Sequence, residues 1–220
     1  QYRLKNFFKW FNFLCLLLLF MIVGRLSLKN AYKFGRLIGA LLFQITNKRR
    51  KIVEENIQIL KDWGERRNLK NPLLNQDISA IAKEIYKCNA GNFFYSWSMT
   101  AKSTDTLSKH LKIKNMEVLN KAFEKNKGVI ILFSHTGPWE LIALLSKLDP
   151  SISEVFNFAA VYRVINNPYL NRWYLKKRSR FGIKMFSRDD GFLKIMRHVK
   201  NKSILFIASD IRMSTGPKAD

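Results

Sequence analysis

The sequence predicts an α/β protein: a largely parallel sheet flanked by helices, with an N-terminal membrane-anchoring helix and a helical lead-in. Two observations predict this class. After residue 111, short apolar runs alternate with helical segments, and such alternation is typical of right-handed crossovers in a parallel sheet. Before it, an apolar N-terminus is followed by amphipathic periodicity. The predicted domains are residues 1–46, an anchor or amphipathic region; 47–111, the helical lead-in; and 112–220, the α/β core.

The N-terminal apolar segment predicts a membrane anchor. Residues 13–23 are wholly apolar, and the stretch 7–28 has 22 residues, close to the roughly 20 that a spanning helix needs. It contains Lys9 and Arg25, whose side chains can reach the interface from either end. The alternatives are a buried core helix and a cleaved signal peptide. No small-residue cleavage site follows Val23, which disfavours the signal peptide.

The charge distribution favours a membrane surface as the partner. The 220 residues include 39 Lys or Arg and 16 Asp or Glu, a net charge of +23, which suits nucleic acid or an anionic membrane. A hydrophobic content of 47% excludes a disordered polybasic tail. Residues 1–53 carry eleven basic side chains and no acidic one, and under the positive-inside rule this places the flanking charges on the cytoplasmic side.

The helical lead-in has a helical sequence pattern but no motif that indicates catalysis or ligand binding. Apolar residues recur at spacings of three and four from residue 78 to 86, which predicts an amphipathic helix. Residues 63–75 are mostly polar and contain Gly64 and Pro72, which predicts a loop. The aromatic cluster at 93–97 is interpreted as helix packing.

The core shows strands and helices in alternation. Residues 128–133 (GVIILF) form a β-branched apolar run typical of a strand that is buried on both faces, and residues 203–208 (SILFIA) form another. The predicted elements are strands at 128–133, 155–162, 184–186 and 203–208, and helices at 139–148, 168–181 and 191–199. Binding sites in such sheets lie at the carboxyl ends of the strands.

The first of these strands ends in a histidine followed by a carboxylate. Gly137 and Pro138 turn the chain, which puts His135 at the strand's end and Glu140 in the first helical turn. A turn there can bring the carboxylate to an imidazole nitrogen, fix the tautomer and make His135 a general base for a hydroxyl. The alternative is a helix-capping Glu and a His bound to a backbone carbonyl. Ser134 is disfavoured as a nucleophile because adjacent strand residues point to opposite faces.

These residues resemble the bacterial lipid A biosynthesis (late, secondary) acyltransferases of the lysophospholipid acyltransferase superfamily. The family motif is His-x4-Glu or His-x4-Asp, often H-x-G-N-W-E, and residues 135–140 read HTGPWE, with Pro138 where Asn is usual. Residues 161–170 (VYRVINNPYL) are similar to the family's Y-R-P-x-x-N-P block, with Val164 in place of Pro. Arg178, Ser209-Asp210 and residues 49–60 (RRKIVEENIQIL) also resemble family positions, so the resemblance runs from about residue 5 to 213.

The resemblance implies a glycerolphosphate-acyltransferase-like fold and a membrane-bound enzyme of the bacterial inner membrane, with its active site on the cytoplasmic face. A fatty acyl chain would pass from an acyl carrier protein thioester to a hydroxyl of a lipid A precursor, without a metal or a cofactor. His135 and Glu140 would be catalytic. Arg163 and Arg178 would bind anionic groups of the substrate, and Asp210 would orient one of those arginines or cap the strand end.

Four further expectations follow. The basic cluster Arg172, Lys176, Lys177, Arg178 and Arg180 would steer an acidic carrier protein or lie on phospholipid headgroups. The closest alternative function is a glycerolipid or glycolipid acyltransferase that uses acyl-CoA, and a remote one is a basic nucleic-acid-binding protein. His110 and His198 lack carboxylates at ligand spacing, and no Cys/His cluster suggests zinc. Family members continue beyond the segment where this chain stops, so we expect the core to be truncated at its C-terminus.

Overall fold

The computed structural model describes residues 2–125, 127–145, 157–179 and 181–210. Its α-helices are α1 (Tyr2–Arg25), α2 (Leu28–Ile45), α3 (Asn47–Arg66), α4 (Ile78–Thr100), α5 (Thr104–His110), α6 (Met116–Glu124), α7 (Pro168–Ser179) and α8 (Phe192–Lys200). Its strands are β1 (Val129–Phe133), β2 (Asn157–Tyr162), β3 (Ile183–Ser187) and β4 (Ser203–Ala208). Short 3₁₀ helices cover Pro72–Asn75, Trp139–Leu144 and Arg188–Asp190.

The chain divides into two compact units. The helical unit comprises Ile22–Ala101 with Thr136–Pro138, and the α/β unit comprises Gln1–Met21, Lys102–His135 and Trp139–Asp220. The predicted domain boundaries at 46/47 and 111/112 stay predictions.

The helical unit is built on a close antiparallel contact between α2 and α4. A Cβ added at Gly39 would lie 2.4 Å from the carbonyl oxygen of Tyr86, and one at Gly35 would lie 2.4 Å from that of Ala90. The two glycines are four residues apart and therefore share one face of α2. Arg36 binds Glu84 across the same pair through two N–H···O contacts of 2.5 and 3.1 Å. The backbones can approach this closely only because no side chain stands between them.

A bulkier residue at this contact is expected to destabilise the helical unit. In Gly39→Val the new side chain overlaps the Tyr86 carbonyl, so the helices must separate, at a cost of about 3 kcal/mol of unfolding free energy. Denaturant unfolding followed by circular dichroism measures this cost. Leu37→Val is the matched control, because Leu37 lies in the same helix and is 71% exposed. Equal midpoints for the two variants would contradict the close contact.

The α/β unit holds a four-stranded, fully parallel sheet in the order β1-β4-β2-β3. Its centre is buried: Ile204, Leu205 and Phe206 of β4 are at most 1% exposed. α8 covers one face, where Val199 and Ile195 join a cluster with Ala159, Phe186 and Leu205. The predicted α/β class with a parallel sheet is confirmed, as are the strands within it, except that residues 155 and 156 of the second predicted strand lie outside the described residues.

Two details of the prediction were wrong. β1 is not buried on both faces, because it is the outermost strand on its side of the described sheet; Ile130 is 46% and Leu132 is 64% exposed there. Residues 63–66 are not loop, since α3 continues to Arg66 and ends near Asn68, whose φ of 52° is left-handed. The predicted helix at 139–148 is present as a 3₁₀ helix over Trp139–Leu144, and residues 146–148 lie outside the described residues.

Helix α1 has the length and composition of a membrane helix. Within the described part of the chain it alone passes this test, over Leu4–Arg25, and 11% of that window is buried. A signal sequence passes the same test. The predicted anchor is therefore compatible with the length and composition of this helix.

Candidate active site

The site lies at the carboxyl edge of the sheet, where binding sites of parallel sheets occur. β1 and β4 are neighbours, and Phe133 at the end of β1 pairs with Ala208 at the end of β4. His135 and Asp210 each follow two residues later, so the register brings them to the same level on adjacent strands. Residues 75 positions apart in the sequence thus become neighbours.

Asp210 binds His135 through both carboxylate oxygens. Its Oδ1 lies 2.7 Å from the imidazole Nδ1, and its Oδ2 accepts a hydrogen bond of 2.8 Å from the His135 backbone N–H. The His135 and Asp210 side chains are 31% and 35% exposed, so the pair is open to a substrate. The backbone bond fixes the carboxylate, which in turn fixes the ring with a proton on Nδ1 and leaves Nε2 as the basic nitrogen.

The pKa of Asp210 is lowered from its ordinary value. The main cause is the hydrogen bond with the His135 side chain, and the second is the bond from the His135 backbone N–H. The carboxylate therefore stays ionised throughout the pH range in which an imidazole titrates. It provides a permanent negative charge beside any imidazolium that forms during a reaction.

Glu140 follows His135 at the start of the 3₁₀ helix Trp139–Leu144, and its side chain lies outside the described residues. Between the two, Gly137 has a φ of +60°, in the left-handed region where residues with a Cβ are strained. The predicted turn after the strand is thus present. The pairing of His135 with Glu140 stays a prediction.

The two arginines of the predicted site lie at different places. Arg163 is exposed and directly follows β2, which is the neighbour of β4 on the side away from β1. At about 4.8 Å per strand it lies about 10 Å across the edge from His135. Arg178 is in the last turn of α7, which returns from the end of β2 to the start of β3 and so carries Arg178 towards the opposite edge of the sheet. Its guanidinium carbon lies 4.1 Å from the centroid of the Tyr174 ring.

An apolar cavity of about 780 Å³ flanks β1. Its walls come from α6, from β1 and from the 3₁₀ helix that begins after the His135 turn; they include Leu119, Ile131, Leu141 and Leu145. Lys112 and Lys114 also line it. From Ile131 the strand leads to His135 in four residues, which is about 13 Å.

The sequence reasoning missed the contact between Asp210 and His135. Asp210 was predicted to orient an arginine or cap a strand, but in the described residues its carboxylate binds His135. The available signal was that His135 and Asp210 end two apolar strands in the same way. That signal was insufficient because alternation along the chain does not reveal which strands are neighbours in the sheet.

A parallel α/β sheet, a carboxylate-bound histidine at its carboxyl edge and an adjacent apolar cavity suit an enzyme that transfers acyl groups to a hydroxyl. The sequence pattern of the family described as bacterial lipid A biosynthesis acyltransferase matches residues 2–217 of the chain. The chain belongs to this family and is an acyltransferase. A search of curated proteins found no match.

Proposed function

We propose that this chain is a membrane-bound acyltransferase that moves a fatty acyl chain from an acyl carrier protein thioester to a hydroxyl of a lipid A precursor. The observation that carries the proposal is the imidazole of His135, held at the sheet edge with its Nδ1 on Asp210. A histidine fixed in this way is a general base for an alcohol. The family membership supports the lipid acceptor.

In the proposed reaction, Nε2 of His135 takes the proton of the acceptor hydroxyl as the oxygen attacks the thioester carbonyl. The tetrahedral intermediate collapses, the C–S bond breaks, and the imidazolium returns the proton to the leaving thiolate. The products are an ester and a free thiol, so atoms and charges balance without a covalent enzyme intermediate. Asp210 stabilises the imidazolium while it exists.

Glu140 is proposed as a second carboxylate acting on the same imidazole. It begins the turn of chain after Gly137 and Pro138, close in sequence to His135. With Nδ1 bound to Asp210, a Glu140 carboxylate would act near the Nε2 side or on the approaching hydroxyl.

Arg163 is proposed to bind an anionic group of the acceptor, such as a phosphate or a sugar carboxylate. This proposal is supported by the position of Arg163, which is exposed and follows β2 at the carboxyl edge of the sheet, where His135 also lies. A guanidinium binds such oxyanions through two parallel hydrogen bonds. Arg178, at the far end of α7, is proposed to hold lipid phosphate at a distance from the reacting atoms.

The cavity beside β1 is proposed to hold the acyl chain of the donor. Its apolar walls lie along β1, which ends near His135. This arrangement suits a thioester bound at the carboxyl edge of the sheet, with its hydrocarbon tail in the cavity. The occupant is the acyl chain rather than a headgroup, because the surfaces of α6 and β1 that line it are largely hydrophobic.

Narrowing this cavity is expected to shorten the preferred acyl chain. Leu119→Trp adds volume to one wall, so kcat/KM for the longest accepted acyl donor should fall tenfold or more, while shorter donors lose little. A series of acyl carrier protein donors of increasing chain length measures the change. Asn120→Trp is the matched control, because Asn120 is the next residue of α6, is exposed and does not line the cavity. Identical chain-length profiles in both variants would contradict the assignment.

The experiment that tests the proposed function compares donors and acceptors in detergent. We expect transfer from acyl carrier protein thioesters to a hydroxyacylated lipid A precursor, with weaker use of acyl-CoA. Mass spectrometry of lipid A from cells that lack the gene should show one acyl chain fewer. Transfer to glycerolipid acceptors from acyl-CoA, with unchanged lipid A, would instead assign the chain to the glycerolipid branch. The proposed location is the inner membrane with the site on the cytoplasmic face, supported by the eleven basic residues around the apolar N-terminus.

A further inference from the structure

Helix α1 packs along the basic helix α7 within the α/β unit. The amide of Asn167 donates a hydrogen bond of 2.7 Å to the backbone carbonyl of Lys9. The rings of Phe13 and Tyr169 stack with centroids 6.2 Å apart, and those of Phe20 and Trp173 stack at 5.1 Å. Contact thus runs from Lys9 to Phe20, about 16 Å at 1.5 Å per residue. These contacts limit the orientations that α1 can take in a bilayer.

The two sides of α1 differ in character. At 100° per residue, Lys9, Phe13 and Phe20 lie within about 40° of one another and form the side that faces α7. Lys5, Asn6 and Asn12 lie within about 60° of Lys9, on the same half of the helix. The opposite side is apolar and between 37% and 61% exposed, and it is formed by Leu4, Phe7, Phe11, Leu14, Leu18 and Met21.

A spanning orientation of α1 would bury charge in hydrocarbon. The candidate span Leu4–Arg25 has its centre between residues 14 and 15, so Lys9 and Phe20 lie about 8 Å on either side of the bilayer midplane. Their partners on α7 would share those depths. Arg172, which is exposed and precedes Trp173, would then lie deep in the hydrocarbon, where an arginine costs about 3 kcal/mol or more.

The position of the sheet is a second and stronger reason against a spanning orientation of α1. α7 packs against β3, the outermost strand of the sheet in the described residues. A spanning α1 would draw this strand towards the bilayer core together with α7. Its unpaired N–H and C=O groups would find no water there, and each costs several kcal/mol in lipid. A helix that lies flat at the membrane surface carries neither cost.

We propose that α1 is an interfacial helix that lies in the plane of an anionic membrane. Its exposed apolar side enters the acyl-chain region, and Arg172, Lys176 and Lys177 of the neighbouring α7 lie among the phosphates. These three basic residues are exposed and within about 100° of Trp173 on α7, the side nearest α1. Apolar area and basic charge together are what interfacial helices use. The inference rests on the membrane association of the proposed function.

Depth measurements along α1 test this orientation. Spin labels are placed at Leu4→Cys, Phe11→Cys and Leu18→Cys, one at a time, in the full chain with its free cysteines Cys15 and Cys88 changed to Ala. The three positions lie on one side of the helix, seven residues apart. In vesicles of phosphatidylcholine with phosphatidylglycerol, collision with oxygen and a water-soluble nickel complex reports depth. We expect three equal, shallow depths, because the helix lies flat.

A spanning helix gives a different pattern. Successive labels would then differ in position along the bilayer normal by about 10 Å. That result, or three labels fully exposed to water, would overturn the proposal. Sidedness gives a second measurement: a membrane-impermeant maleimide should label Tyr2→Cys and the exposed Lys200→Cys from the same side of sealed vesicles. Labelling from opposite sides would also overturn it.

The activity of the same variants separates this inference from the proposed function. Acyl transfer in detergent reports the fold and the site without reference to orientation. Equal depths in a chain that acylates no lipid A precursor would refute the substrate and retain the interfacial helix. Unequal depths in an active enzyme would refute the interfacial helix and retain the function.

Discussion

Replacing His135 with Ala is expected to reduce acyl transfer by about 10²–10⁴-fold, which is what a positioned general base contributes. Among the described residues, the contact with Asp210 places this imidazole to take a proton from the acceptor hydroxyl. Because the loss is of transition-state stabilisation, kcat should fall while KM for the acceptor changes little. The measurement is a steady-state assay in detergent with the lipid A precursor and an acyl carrier protein donor.

Ser134→Ala is the matched control for this variant. Ser134 is the preceding residue, is exposed, and has no role in the proposed mechanism. We expect turnover close to that of the unmodified chain, which also excludes Ser134 as a nucleophile. Near-normal turnover in His135→Ala would refute the proposed mechanism, provided that circular dichroism shows both variants folded.

The second large effect is expected from Asp210→Asn. The amide keeps the shape of the carboxylate but removes its charge and can present N–H to Nδ1, which favours the wrong tautomer. Turnover should fall by about 10²–10⁴-fold.

The lowered pKa of Asp210 also affects stability. A carboxylate with a depressed folded-state pKa stabilises the fold at neutral pH, and this contribution is lost as the pH falls through the folded-state pKa. Turnover of Asp210→Asn near that of the unmodified chain would show that Asp210 does not position the base.

Glu140→Gln completes a double-mutant cycle with Asp210→Asn. If both carboxylates act on one imidazole, the double variant should lose less activity than the product of the two single losses. If Glu140 acts elsewhere, the effects multiply. Turnover of Glu140→Gln near that of the unmodified chain would assign the positioning of His135 to Asp210 alone.

The sequence predicts where the strands of this fold lie better than it predicts which strands pair with one another. The run of residues 203–208 predicts a buried strand, and β4 is buried as expected because strands lie on both sides of it. The equally apolar run at 128–133 has the same pattern, yet β1 is half exposed because it has β4 on one side only. The apolar content of a strand indicates how much of it could be buried. Its position in the sheet determines how much of it is buried.

The site follows the same rule. His135 could be predicted from its place at the end of an apolar strand, before a turn through Gly137. Its contact with Asp210 could not, because that contact depends on the pairing of Phe133 with Ala208, which no local pattern encodes. Arg178 shows the converse. Its basic helix is predicted correctly, but the return of α7 along the sheet carries the side chain away from the edge where His135 lies.

The strand order also has a consequence for how the enzyme becomes active. β4 is the last strand of the described chain to be synthesised, yet it lies between β1 and β2 and pairs with both. Before it arrives, the two earlier strands have no partner in common, and His135 has no Asp210. Assembly therefore requires contacts of long sequence separation, which form late and slowly. A nascent chain that already carries α1 and His135 therefore lacks the contact with Asp210 until β4 has paired.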